Sequence, residues 1–330
     1  MRRGPLWVWT VLAASAWAAS AENTGFRWTY GAPILEPGPE GAFDSQAVKD
    51  PSIVFHDGAW HLFYTASNGH TCRLGYASAP TLERLRDAPR HELAQAVNSG
   101  LSTPPNKYAA APQVFFFEPQ EVWYLVFQTR DSNYLPVYMT TRDIAEPDSW
   151  SAPRTLACKE EDAKWIDFWV LCDDARAYLF YTREHRDLYA METTLERFPE
   201  GFSAPRAVFS ALHEAAHIYK AAGRGEYHMI YEERDQQDIR HFRLAVARHP
   251  LGPWTATDAS YATGEQLAFL DEGAPWAGEV SHIEAVRRGC NQRLEYDPDA
   301  PRLLFQSTRP GEHRGPYPLL VWRLGLMTRE

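Results

Sequence analysis

Asp50, Asp167, Glu214 and Glu284 each open a short apolar run that is followed by a polar turn and a second, aromatic-rich run. Asp50 opens DPSIVFHDGAWHLFYTA, Asp167 opens DFWVLCDDARAYLFYT, Glu214 opens EAAHIYKAAGRGEYHMIYEE and Glu284 opens EAVRRGCNQRLEYDPDAPRLLFQ. A fifth unit of the same design, APQVFFFEPQEVWYLVFQ, begins at Ala111 without a carboxylate. Seven residues beyond each opening stands a residue at or beside the turn (Asp57, Glu118, Asp174, Ala221, Asn291), which gives the openings equivalent places in a repeated unit. Carboxylates gathered at one place do one of two kinds of chemistry. They hold a cation among oxygen ligands, or they act as base, acid and electrostatic modulator on a glycosidic bond. Inverting hydrolysis wants two carboxyls about 6.5–9.5 Å apart, so that a water fits behind the sugar.

Gathering them needs a scaffold that brings distant repeats to one axis. Repeats of two short strands, each followed by an outer strand such as LGYASAPTLERL, PVYMTTRDIAEPDSW, DLYAMETTLERF, HFRLAVARHPLGPW or LLVWRLGLMT, are the pattern of propeller blades. Five inner pairs and five outer strands predict an all-β, five-bladed β-propeller. Phe26 to Tyr30 would supply an extra strand that closes the ring against the last blade. Equivalent positions on the innermost strands then converge, so Asp50, Asp167, Glu214 and Glu284 are expected at one end of a central channel. Helices should be few and short, with Leu82 to Arg90 and Ala211 to Glu214 as the candidates.

Composition narrows the partners. Aromatic residues make up 13% of the 330 residues, which suits surfaces that stack on sugar rings. With 33 basic and 43 acidic residues the net charge is −10 and no basic cluster interrupts it, which argues against nucleic acid and anionic membrane as partners. Arg2 and Arg3, the apolar stretch Leu6 to Ala18 and the small residues Ala19-Ser20-Ala21 read as a secretory signal over residues 1–21. The rival reading, a membrane anchor, asks for an apolar run of about 20 residues, longer than this one. Residues 22–330 then form a single, exported propeller domain. Cys72, Cys158, Cys172 and Cys290 allow three disulfide pairings, none has CxxC spacing, and Cys172 in FWVLC reads as a buried small hydrophobe.

KDPSIVFHDG around Asp50, APQVFFFEPQEVWYLVFQ, WIDFWVLCDD around Asp167, LHEAAHIYK around Glu214, SHIEAVR around Glu284 and YPLLVWRLGLMT near the C-terminus resemble, in order, the motifs of glycoside hydrolase family 62 and its relatives in family 43. The resemblance runs from Phe26 to Thr328. It implies a five-bladed propeller and an inverting α-L-arabinofuranosidase that takes single arabinofuranose branches from arabinoxylan or arabinan. It makes Asp50 the general base, Asp167 the carboxylate that tunes the acid and orients substrate, and Glu214 the general acid. It further implies sugar contacts for Lys49, Glu284 and Tyr317, and a structural calcium in the channel held by His282, with no organic cofactor.

Three departures touch the rim. Thr129 follows Gln128 where family members carry a tryptophan, Pro51 replaces an aromatic residue in the first motif, and Ile283 replaces a glycine after His282. The expected partner is plant cell-wall polysaccharide and the expected state a monomer. Two other readings stay open: a non-catalytic carbohydrate-binding propeller, and a xylosidase or furanosidase of the family 43 type.

Overall fold

Each of the five repeated units folds as a sheet standing on edge around a common axis. The computed structural model describes residues 27–97, 108–129, 135–158, 163–257, 259–313 and 315–330; the signal segment 1–21 lies outside them. The innermost strands are Ala47–His56, Ala109–Phe117, Trp165–Cys172, Glu214–Ala221 and Ser281–Ala285, one for each of blades one to five. They are buried along nearly their whole length because each faces a neighbouring blade on both sides. That explains their continuous apolar runs. Blade one shows the local logic: its first hairpin turns on Asp57-Gly58, both at positive φ (47° and 80°), the conformation that a two-residue hairpin loop requires.

The ring closes as expected. Trp28–Tyr30 pairs antiparallel with the C-terminal strand Arg323–Arg329, so the last blade contains both ends of the described chain. Trp28 is fully buried and its indole N–H donates to the Tyr261 carbonyl at 2.8 Å. The helix candidates fare differently. Glu83–Asp87 is a short 3-10 helix, whereas Ala211 has a φ of 65° and Glu214 already opens a strand.

The fifth unit corrects the reading of the sequence. Its inner strand ends at Ala285, and the segment that follows crosses the far end of the channel before the chain returns through Arg302–Ser307. On the way Cys290 accepts from the Phe116 N–H, Gln292 from the Cys172 N–H and Leu294 from the Lys220 N–H, at 2.7, 2.9 and 3.2 Å. Glu295–Tyr296 adds a strand parallel to the inner strand of blade four. This segment ties blades two, three and four together and plugs the channel. No helix among the described residues is long and apolar enough to cross a membrane. The four cysteines are free, and Cys172 is buried, as its apolar run predicts.

Candidate active site

All five inner strands carry a β-bulge near their start, and at each bulge one residue is held at positive φ: Asp50 (49°), Ala111 (51°), Asp167 (55°), Ala215 (48°) and His282 (42°). These five are the true structural equivalents. A bulge re-aims the side chains around it, and a non-glycine residue there costs about 1–3 kcal/mol that the surroundings must offset. The surroundings do so with one repeated device. In each case the bulge N–H is caught by a side chain of the preceding blade: Asp50 by Gln306 Oε1 (2.7 Å), Ala111 by Thr65 Oγ1 (2.7 Å), Asp167 by Gln128 Oε1 (3.0 Å), Ala215 by Asp167 Oδ2 (2.9 Å) and His282 by Glu232 Oε2 (3.2 Å). Proline tolerates the position after the bulge residue, where the ladder is interrupted, and both Pro51 and Pro112 use it. The left-handed residue of blade five is His282 and not Ile283, so isoleucine is accommodated where the family has glycine.

This register places the predicted residues. Asp50 and Asp167 are equivalent, as expected. Glu214 precedes its bulge by one residue and corresponds to Lys49. Glu284 follows its bulge by two residues and belongs to a second ring, with Ser52, Gln113, Trp169 and His217, one layer deeper in the channel. A pocket of about 270 Å³ at the bulge end is lined by Lys49, Asp50, Asp167, Glu214, His282 and Tyr317, together with Tyr108, Gln128, Lys164, Ile166, His185, Arg234 and Arg240. Six of the seven sequence-derived residues therefore meet. Glu284 does not: it is fully buried below the pocket, accepting from Tyr219 (3.0 Å), Arg287 (3.1 Å) and Ser52 (3.4 Å). It packs in the channel and is not among the residues that line the pocket. A larger cavity, about 1000 Å³, lies against the outer strands of blades two and three, but Glu200 is its only acidic lining residue among the described residues.

The carboxyls in the pocket are electrostatically distinct. Burial pushes Asp50 up, yet Lys49, with Nζ 3.4 Å from Oδ2, and His282, with Nδ1 3.4 Å from Oδ1, outweigh it and hold Asp50 below the usual carboxylate value. Asp167 goes the other way: burial raises it, His282 opposes, and the neighbouring Glu214 and Asp50 add to the rise. Glu214 is also pushed up by burial, but Arg240, His185 and His213 together pull it well below the ordinary glutamate value in the free site. Arg240 Nη1 donates to Glu214 Oε1 and also to Glu232 Oε1. Lys49 donates to the Tyr317 hydroxyl at 3.2 Å, while Tyr317 itself stays 41% exposed at the pocket rim.

The residues that sequence reasoning missed reach the pocket from second and third strands and connecting turns: Tyr108, Gln128, Lys164, His185, Arg234 and Arg240. None belongs to a motif that opens a run. Thr129 does not replace the family's tryptophan as a stacking surface; it is buried and donates to the Tyr108 carbonyl at 2.8 Å, and Gln128 donates to the Tyr108 hydroxyl at 3.1 Å, so Tyr108 supplies the aromatic wall there.

Two metal questions can be put to this geometry. Calcium takes about six to eight oxygen ligands. Around His282 the channel offers an imidazole and the Asp50 carboxylate, while the Glu284 oxygens below are already occupied, so the residues fit only a largely hydrated ion. His185, His213 and Glu214 form the group of three metal-type side chains among the described residues. The two imidazoles are stacked nearly parallel, 14° apart with centroids at 4.8 Å, so no point beside both nitrogens lies in both ring planes, where their lone pairs aim. Lys164 donates to His185 Nε2 at 2.6 Å, which leaves the proton on Nδ1, 3.2 Å from Glu214 Oε2. The trio is a polar cradle for Glu214.

A profile of Glycosyl hydrolase family 62 matches residues 27–328. Alpha-L-arabinofuranosidase C of Cellvibrio japonicus (strain Ueda107) is 32% identical over 313 residues, 91% of this chain and 46% of that protein, so the chain spans about half the length of that relative. The catalytic domain of a Coprinopsis cinerea family 62 alpha-L-arabinofuranosidase is 34% identical, aligned over 92% of this chain and 97% of its own, with a TM-score of 0.83. An alpha-L-arabinofuranosidase from Podospora anserina, solved with cellotriose, is 30% identical over 93% of this chain and 97% of its own, with a TM-score of 0.82. A thermostable family-43 glycoside hydrolase, at 16% identity and a TM-score of 0.60, shares the fold. The match over nearly the whole described chain, joined to the five-bladed architecture and its carboxylate-lined pocket, places the protein: the chain belongs to glycosyl hydrolase family 62.

Proposed function

We propose that the protein is an inverting α-L-arabinofuranosidase that removes single arabinofuranosyl side chains from arabinoxylan or arabinan, exported by its N-terminal signal and acting as a monomer. The observation that carries this reading is the convergence of Asp50, Asp167 and Glu214 on one small pocket, with Asp50 held ionised by Lys49 and His282. The activity named for the relatives supports it. A pocket of about 270 Å³ suits one terminal sugar ring better than the interior of a chain.

In the proposed reaction the ionised Asp50 takes a proton from a water on the far face of the sugar, and Glu214 delivers one to the leaving oxygen. Asp167 holds the Ala215 N–H, and thereby fixes the peptide that carries Glu214. Lys49, Tyr317 and Arg240 line the pocket as donors for sugar hydroxyls. A calcium ion in the channel would add positive charge near His282, and no proton transfer passes through it. Proton NMR of the first product from an α-linked substrate should show β-arabinose. Initial α-arabinose would mean retention and remove Asp50 from the role of base; no turnover of any furanoside would favour a carbohydrate-binding propeller.

A further inference from the structure

Glu232 stands out among its equivalents. The residues facing the pre-bulge positions across each inner hairpin are Thr65, Gln128, Thr182, Glu232 and Gln306. Neutral side chains suffice to catch three of the other four bulge N–H groups, as Thr65, Gln128 and Gln306 do, and the fourth, that of Ala215, goes to the pocket carboxylate Asp167. A fully buried carboxyl, which burial pushes up to about 7 against the pull of Arg240, is a costly way to do the same work unless its charge has a second use. The second use is visible: one Glu232 oxygen accepts from Ser281 Oγ (2.8 Å) and the His282 N–H, while the other shares Arg240 Nη1 with Glu214. Arg240 itself is buried and lies over the rings of Tyr317 and Trp322, at 5.4 and 5.9 Å from their centroids. We propose that Glu232 is a positioning residue for the hydrolysis: by sharing Arg240 it divides the guanidinium charge, so that Glu214 is not locked as a permanent ion-pair partner and can carry the proton that the leaving oxygen needs. This rests on the reading of Glu214 as proton donor. The groups facing Glu214 are Arg240, His185 and His213, with Asp167 and Asp50 as like charges across the pocket, and among the described residues Glu232 is the one other carboxylate paired with Arg240.

Glu232→Gln tests it, because Gln128 and Gln306 show that glutamine holds a bulge N–H in this ring. Arg240 would then belong to Glu214 alone. The expected result is a loss of about 10–100-fold in kcat on arabinoxylan and under about 3-fold on an aryl arabinofuranoside with a good leaving group, with KM little changed. Carbon-13 NMR of the Glu214 carboxyl should show it more firmly ionised than in the unmutated protein. Glu232→Asp, which keeps the charge but withdraws it by one methylene, should shift both readouts the same way by less, and serves if the glutamine variant does not fold. Equal proportional losses on both substrates, or an unchanged Glu214 signal, would overturn the proposal and leave Glu232 a structural residue. If the unmutated protein turns over no furanoside while the carboxyl signal still moves, it is the assigned reaction that falls and the charge-sharing that stands.

Discussion

At the scale of single residues, the site is a problem of keeping carboxyls in different states within one small pocket. Asp50 is the clearest case. Burial alone would raise it, and Lys49 and His282 reverse that, so it stays ionised to lower pH than an ordinary aspartate. The acid limb of kcat/KM reports the base of the free enzyme. Lys49→Met removes the leading stabilising charge, so the Asp50 pKa should rise and the acid limb should move to higher pH, whatever happens to the absolute rate. The linkage has the same sign for folding: a depressed carboxyl adds stability above its unfolded pKa, lost as pH falls through the folded one, and that acid-side loss should shrink in the variant. A pH–rate profile whose acid limb stays in place would separate Asp50 from the base role.

At the scale of the strand, the bulge is the unit that makes the site. It puts Asp50 and Asp167 in a backbone region that L-residues avoid, and the cost is borne by a side chain from the preceding blade. Gln306 does not line the pocket, yet it accepts from the Asp50 N–H and donates to Ser281 Oγ at 3.1 Å. Gln306→Ala leaves a buried N–H without a partner, which costs about 1–3 kcal/mol. Denaturant unfolding should show that loss, and kcat should fall with it because the base is no longer aimed; a destabilised protein with unaltered kcat would mean that the bulge holds its shape without this contact.

At the scale of the whole molecule, the channel is closed by charge as well as by backbone. Arg287 donates to the Ile53 and Val114 carbonyls of blades one and two and to Glu284 of blade five, all in the dry interior. Glu284, raised by burial against the pull of Arg287, is therefore a strut across three blades. Glu284→Gln weakens a buried ion pair and should lower the melting temperature while leaving KM for a furanoside within about 2-fold, since removing one partner of such a pair costs about 3–5 kcal/mol. A large rise in KM with unchanged stability would return Glu284 to the sugar.

The sequence by itself determined the five blades, the closing strand at Trp28 and the residues Asp50 and Asp167, because alternation, turn chemistry and repeat spacing are local and survive in one dimension. It reached Glu214 through resemblance and by a count that was one residue out, and it put Glu284 in the wrong layer. A bulge inserts a residue without a mark in the composition, and along a strand a slip of one or two positions changes the face or the depth of a side chain. Only the tertiary structure decided the rest. Arg240, Glu232, His185 and Tyr108 come from other strands and turns with no motif of their own, and what they do depends on which charges the closed ring sets against them.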